Sequence, residues 1–171
     1  MKSPLKRAIY ANSIFAITHT TYTYTMMEQF IQTPEIRWSD LDPNFHLRHS
    51  VYYDYGAFAR VNFLNEYELT PAYMTEFQFG PILFREECIF RREIRLGDKV
   101  SMDLKLLKAR PDFSRWSIRH NIFKNGDTLA AVLTVDGAWI DLKKRKLSTP
   151  PEKVLQVFNA MPKTDDFEWI N

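Results

Sequence analysis

The sequence is short of cysteine and glycine, and these shortages exclude several classes of protein. Cys88 is the only cysteine among 171 residues, which excludes a disulfide framework and fits a reducing compartment or no redox role. The five glycines form no glycine-rich phosphate loop, and no G-x-S-x-G motif of a serine hydrolase is present. Any chemistry must therefore come from other residue types.

A strong charge of one sign and a long apolar run are also missing. The formal net charge is +2, and the first 25 residues contribute three positive charges and no acid, which leaves the rest of the chain at −1. A body so close to neutral lacks the basic surface that nucleic-acid binding needs. No run approaches the roughly 18 apolar residues of a membrane span. We expect no nucleic-acid partner, no membrane span and a cytoplasmic location.

The length predicts one domain. A chain of 171 residues is long enough to bury a core and too short for two ordinary domains. Residues 1–25 make a poor signal peptide, because Asn12, Ser13 and Thr18 interrupt the apolar stretch. We expect residues 1–25 to be a dispensable extension and residues 26–171 to form a single domain.

Hydrophobic periodicity predicts one long helix near the start of that domain. Apolar residues recur at helical spacing from Val51, which indicates a core helix over about residues 51–66 with Ser50 as its N-cap. A strand over residues 28–38 precedes it, and Thr70 followed by Pro71 predicts a short helix over about residues 71–77.

The remaining chain alternates apolar and polar residues, which is typical of strands. Four strands are predicted, joined by turns at Gly97, at 110–113 and at Asn125-Gly126, over about residues 82–94, 100–106, 116–122 and 128–142. Gly137 would permit a bend in the last of them. A short helix near residues 154–158 and a loosely held tail to Asn171 follow. The expected class is α+β: a long central helix wrapped by a five-stranded antiparallel sheet.

Ionisable side chains concentrate in one loop, which reads R-W-S-D-L-D-P-N-F-H-L-R-H-S from Arg37. An aspartate is ionised at neutral pH, so Asp42 can take a proton from water or attack a carbonyl itself. Asn44 and His46 could orient a water or hydrogen-bond this carboxylate. Amide groups at the start of the following helix could polarise a carbonyl oxygen.

Plainer roles stay open for these residues. Asp42 could be only a turn former, and Asp40 is expected to be a turn or cap residue. His46 and His49 could suggest a metal, but no second ligand cluster supports one, so we expect neither metal nor cofactor.

Other polar residues are expected to be structural. His120 is predicted to be a hydrogen-bonded core residue, Arg60 to pair within the fold, and Tyr52 and Tyr55 to be core residues with hydroxyls at a polar rim. The basic residues of the strands are expected to be mostly solvated, although some could meet a phosphate: Arg91, Arg92, Lys105, Lys108, Arg110 and Arg115.

The run R-W-S-D-L-D-P-N-F-H, followed by Tyr52, Tyr55 and Ala59-Arg60, resembles the hotdog-fold acyl thioesterases of the 4-hydroxybenzoyl-CoA thioesterase type. The resemblance covers roughly residues 28–145. It implies a hotdog fold, Asp42 as the catalytic carboxylate, and a homodimer or homotetramer with the active site at the subunit interface. The spacing D-x-N-x-H from Asp42 also resembles acyl-ACP thioesterases.

The resemblance implies an enzyme that hydrolyses an acyl thioester of CoA or acyl carrier protein (ACP). The catalytic candidates are Asp42, Asn44 and His46. The substrate-binding candidates lie at the start of the helix and are His49, Ser50, Val51, Tyr52 and Tyr55. Family members commonly read H-V-N-N where this chain has H-L-R-H, so residues 48 and 49 are where we expect substrate preference to arise.

Two other functions stay open. The first is a hotdog protein that binds an acyl chain or a partner without hydrolysis, in which the Asp42 loop is only a turn. The second is a hotdog dehydratase, which would need a carboxylate on the helix face, where only Asp54 is available.

Overall fold

A helix of 18 residues, α1, organises the computed structural model, which describes Met27 and residues 29–171. It runs His49–Glu66 and buries one apolar face made of Val51, Tyr52, Tyr55, Ala59 and Phe63. The helical spacing of these residues in the sequence is the physical reason for that buried face. The predicted extension over residues 1–25 lies outside the described residues.

The strands form one sheet that packs against α1. They are β1 Ile31–Gln32, β2 Phe79–Phe90, β3 Val100–Asp103, β4 Lys105–Ala109, β5 Arg115–Lys124, β6 Thr128–Asp141, β7 Lys146–Leu147 and β8 Lys163–Trp169. The long strands β2, β6 and β5 are antiparallel neighbours, and β5 continues to both β3 and β4. The short strands β1 and β7 extend β3 and β6.

Two shorter helices complete the fold. In α2, Pro71–Glu76, the side chain of Thr70 accepts a hydrogen bond from the amide of Tyr73, as the sequence predicts. The third helix, α3, runs Glu152–Ala160 and buries Val154, Val157 and Phe158. A long helix covered by an antiparallel sheet is an α+β architecture of the hotdog type, which confirms the predicted fold class.

Four details of the prediction are wrong. The N-cap of α1 is Arg48, whose carbonyl accepts from the amide of Val51, so Ser50 lies inside the first turn. The first strand, predicted over residues 28–38, is only the two-residue β1, which ends just before Pro34, a residue without an amide hydrogen. Among the described residues the sheet has eight strands rather than five. The expected loose tail is instead β8, which pairs in parallel with the edge of β4.

The core divides into two clusters along α1. One contains Tyr52, Tyr55 and Leu133 beside the first half of the helix. The other is aromatic and packs Phe63 with Trp116, Trp139 and Phe158 beside the second half. The aromatic cluster thus anchors the end of α1 that lies away from the Asp42 loop.

Gly137 makes room for the aromatic cluster, and its replacement by alanine should be costly. An added Cβ would overlap the ring of Trp116, which is rigid and buried. Overpacking of this kind costs about 1–3 kcal/mol, so we expect Gly137→Ala to lower the free energy of unfolding by that amount in urea titration. Gly80→Ala is the control, because its Cβ would meet only the flexible end of Leu142, at 3.3 Å. Equal effects of the two substitutions would contradict this packing argument.

Candidate active site

The Asp42 loop is a tight turn that fixes one carboxylate oxygen. The Oδ1 of Asp42 accepts hydrogen bonds from the amides of Asn44 at 2.8 Å and His46 at 3.0 Å. The backbone closes the same turn, because the amide of Asp42 donates to the carbonyl of His46 at 2.8 Å. No hydrogen bond to the other oxygen, Oδ2, occurs within the described part of the chain. Asp42 is therefore both a turn former and a carboxylate with one oxygen left for chemistry.

Asp40 has the cap role that the sequence predicts. Its Oδ2 accepts from the amide of Arg37 at 2.9 Å, at the start of a 3₁₀ turn over Trp38–Asp40. The two neighbouring carboxylates are thus held by different backbone groups. Of these two aspartates, only Asp42 lines the cavity described next.

A cavity of about 360 Å³ lies beside Asp42. The start of α1 supplies one wall and the end of β2 with the following residues supplies another; the lining residues are Asp42, His46, Leu47, His49, Tyr52, Phe90, Arg91, Arg92 and Glu93. The amide of Leu47 donates to the carbonyl of Ile94 at 2.7 Å, which ties the loop to this second wall. The structure thus brings together four of the predicted site residues.

The other four predicted site residues lie outside this lining. Asn44 is exposed and meets Asp42 through its backbone amide. Ser50 lies within the first turn of α1. Val51 and Tyr55 border a different cavity, of about 560 Å³, together with Asp40. The sequence names Arg91 and Arg92 only as basic strand residues and does not link Phe90 to Glu93 with Asp42, because they are remote in sequence and no local pattern connects them.

The start of α1 offers backbone donors at the cavity. Arg48 is the N-cap, and its side chain makes no capping hydrogen bond. The first amides of a helix have no partner within the helix and carry a partial positive charge. Of the first residues of α1, His49 lines the cavity, and no acceptor for its amide occurs within the described part of the chain.

Burial keeps the nearby thiol and phenol groups neutral. It raises the pKa of Cys88 to about 11 and the pKa of Tyr52 to about 12. Neither group is ionised near pH 7, so neither supplies an anionic base or nucleophile.

Arg60 and His120 form a polar network under the sheet, as predicted. His120 is fully buried, and its Nδ1 lies 2.9 Å from the carbonyl oxygen of Asp103. The guanidinium of Arg60 lies 3.4 Å from Nε2 of His120 and pairs with Glu86 at 2.6 Å. A neutral imidazole that donates from Nδ1 and accepts at Nε2 satisfies these contacts.

Stability should decrease at acidic pH because of His120. Burial lowers the pKa of His120 to about 3, with a further lowering by Arg60, whereas an unfolded histidine titrates near 6.5. Below about pH 6.5 the histidine binds a proton in the unfolded chain but not in the folded chain. The free energy of unfolding therefore decreases as pH decreases towards 3, and His120 has no effect on it above about pH 6.5.

The expected slope from this one group steepens as pH decreases through about 6.5 and approaches about 1.4 kcal/mol per pH unit near pH 5. Urea titrations at pH 7, 6 and 5 measure it, and a His120→Gln variant should show a shallower slope over the same range. An identical slope in the variant would show that His120 does not carry the effect.

Within the described residues, no group of three or more His, Cys, Asp or Glu side chains is placed to hold a metal ion. None of the helices that the structure describes is long and apolar enough to cross a membrane.

The long helix covered by an antiparallel sheet defines a hotdog protein. The sequence profile of the thioesterase-like superfamily matches residues 36–158, so the chain belongs to that superfamily. A search of the curated proteins returns no match.

Solved structures show the same fold. A Staphylococcus aureus protein in complex with CoA has a TM-score of 0.73 at 18% identity, covering 82% of this chain and 90% of that chain. A 1,4-dihydroxy-2-naphthoyl-CoA thioesterase from Synechocystis has a TM-score of 0.69 at 16% identity, covering 77% and 96%. A thioesterase from Thermus thermophilus, complexed with coenzyme A and Zn, has a TM-score of 0.64 at 26% identity, covering 78% and 96%.

Proposed function

We propose that this protein hydrolyses an acyl thioester of CoA or acyl carrier protein, with Asp42 as general base or nucleophile. The observation that carries the proposal is the Asp42 carboxylate, held by two amides at 2.8 and 3.0 Å beside a cavity that also contains the start of α1. Membership in the thioesterase-like superfamily supports the reaction class, and the CoA complexes of similar structures support the carrier.

The two forms of the mechanism use the same geometry. As a base, Oδ2 of Asp42 takes a proton from water, the resulting hydroxide attacks the thioester carbonyl, and the C–S bond then breaks to release a thiol and a carboxylic acid. As a nucleophile, Oδ2 attacks the carbonyl and expels the thiolate, and water then hydrolyses the mixed anhydride. In both forms the amides of His49 and Ser50 hold the negative carbonyl oxygen.

The remaining candidates have supporting roles. His46 lines the cavity and positions the water, while Asn44 holds Asp42 through its backbone amide. Tyr52 and His49 shape the wall next to the substrate. Ser50, Val51 and Tyr55 support the start of α1 from within the helix.

A panel of acyl-CoA and acyl-ACP substrates tests the function. The panel should vary chain length and include aromatic acyl groups, with free thiol measured by a colorimetric reagent. We expect release above background with at least one acyl group. Tight binding without release from any substrate would favour the non-catalytic acyl-binding role, and hydration of an enoyl thioester without thiol release would favour the dehydratase.

A homodimer or homotetramer is the expected assembly, and β2 is the strand that supports it. This strand of 12 residues pairs with β6, and no described strand pairs with its other edge. Its apolar side chains Leu83, Phe84, Ile89 and Phe90 are 47–54% exposed. An unpaired apolar edge of this length is suited to pairing with another strand.

The charges of β2 are self-complementary. Antiparallel pairing of two copies centred on Glu86 places Arg85 of one copy opposite Glu87 of the partner subunit. Light scattering after gel filtration should therefore report a dimer or tetramer. Arg85→Glu should weaken the assembly and the swapped Arg85→Glu/Glu87→Arg variant should restore it, whereas a monomeric wild type would refute the pairing.

A further inference from the structure

A β-bulge directly after β2 places two consecutive arginines at the Asp42 cavity. The amides of Arg91 and Arg92 both donate to the carbonyl of Ala130, at 2.8 and 3.0 Å, so two residues stand opposite one. A bulge of this kind interrupts the strict alternation of side chains along a strand. Both arginines line the cavity that contains Asp42.

The two guanidinium groups have no carboxylate partner within the described part of the chain. Arg92 donates from Nη1 to the carbonyl of Arg91 at 2.8 Å, and both side chains are exposed. The nearest acid in the sequence, Glu93, is already paired with Arg95 at 3.6 Å. Positive charge at the rim of this cavity is therefore available to a ligand.

We propose that Arg91 and Arg92 bind the phosphate of the phosphopantetheine arm that carries the thioester. This inference rests on the proposed function and names the part of the substrate that the rim recognises. Guanidinium groups bind phosphate through paired charge-assisted hydrogen bonds. The arm is long and flexible, so a phosphate at the exposed rim leaves the thioester free to reach Asp42. CoA and ACP both carry this phosphate.

Three thioesters of one acyl group test the proposal: the acyl-CoA, the acyl-ACP and the acyl-pantetheine, which has no phosphate. The double variant Arg91→Gln/Arg92→Gln should reduce the preference for the phosphate-bearing substrate. We expect the ratio of kcat/KM for the acyl-CoA or acyl-ACP to that for the acyl-pantetheine to fall about 10-fold or more, through KM, because the charge-assisted hydrogen bonds to the phosphate are lost. Arg145→Gln is the matched control, because Arg145 is also an exposed arginine and lies outside the lining of this cavity, so it should leave the ratio unchanged.

Calorimetric titration with CoA separates this inference from the proposed function. A wild type that hydrolyses all three thioesters, with the ratio unchanged in the double variant, overturns the arginine assignment and leaves the function intact. If the wild type hydrolyses none of the thioesters but binds CoA about 10-fold more tightly than the double variant, the arginine assignment is supported and the proposed function is overturned. Equal CoA affinity in the wild type and the double variant overturns the assignment if the kinetic ratio is also unchanged. If the kinetic ratio falls for acyl-ACP alone, the arginines bind the phosphate carried by the carrier protein.

Discussion

Replacing Asp42 with asparagine is expected to lower kcat for thioester hydrolysis by about 10²–10⁴-fold, the usual contribution of a general base. The side-chain oxygen of asparagine can still accept the two amide hydrogen bonds that Oδ1 accepts from Asn44 and His46. The turn should therefore survive, while the negative charge that takes the proton or attacks the carbonyl is lost. Steady-state kinetics on the best substrate of the panel measure the effect.

The neighbouring carboxylate supplies a matched control. Asp40→Asn makes the same chemical change two residues away, in a side chain that caps the 3₁₀ turn through the amide of Arg37. We expect Asp40→Asn to keep kcat within a few-fold of the wild type. Circular dichroism should show that both variants are folded. A similar loss of activity in both variants would mean that the loop as a whole matters, rather than Asp42.

Replacing Arg60 with methionine is expected to lower the free energy of unfolding by about 3 kcal/mol. The change removes the partner of Glu86, whose side chain is 26% exposed, and leaves Nε2 of the fully buried His120 without a hydrogen bond. Breaking a buried pair by removing one partner typically costs about 3–5 kcal/mol, and the partial exposure of Glu86 reduces that cost. Urea titration at pH 7 measures the change.

Arg85→Met is the corresponding exposed substitution. Arg85 pairs with Glu87 and Asp136, and its side chain is 54% exposed. Solvent screens exposed pairs, so they contribute little to stability. This variant should therefore stay close to the wild type if unfolding is measured on matched oligomers. A loss below about 1 kcal/mol in Arg60→Met as well would show that the network under the sheet is not a stabilising element.

The parts of the fold that sequence predicts are those with a strong local pattern. The helical spacing from Val51 to Phe63 identifies α1, and Asn125-Gly126 identifies the hairpin, where both residues have positive φ, 53° and 106°. The sequence does not predict β8, because Lys163–Trp169 is mostly polar and acidic and has only two large apolar residues, Phe167 and Trp169. Its pairing partner β4 lies far earlier in the sequence, so only the folded sheet shows the open edge that it covers.

One part of the candidate site can be predicted from local sequence and another part cannot. Asp42 and its turn are local, because a D-P-N run forms such a turn from its own backbone and side chain. The opposite wall is not local: Arg91 and Arg92 reach the cavity only because β2 pairs with β6 and ends in a bulge at Ala130. The sequence also does not predict the partner of Arg60, because Arg60 lies in α1 and its partner Glu86 lies in β2.

Release of free thiol from an acyl thioester by the wild type and by Asp42→Asn, run in parallel at equal protein concentration, tests the central claim most directly. The proposed mechanism predicts steady release of one thiol for each acid formed in the wild type and release near background in the variant. Equal rates in the two proteins, or no release by the wild type with any member of the substrate panel, would contradict it.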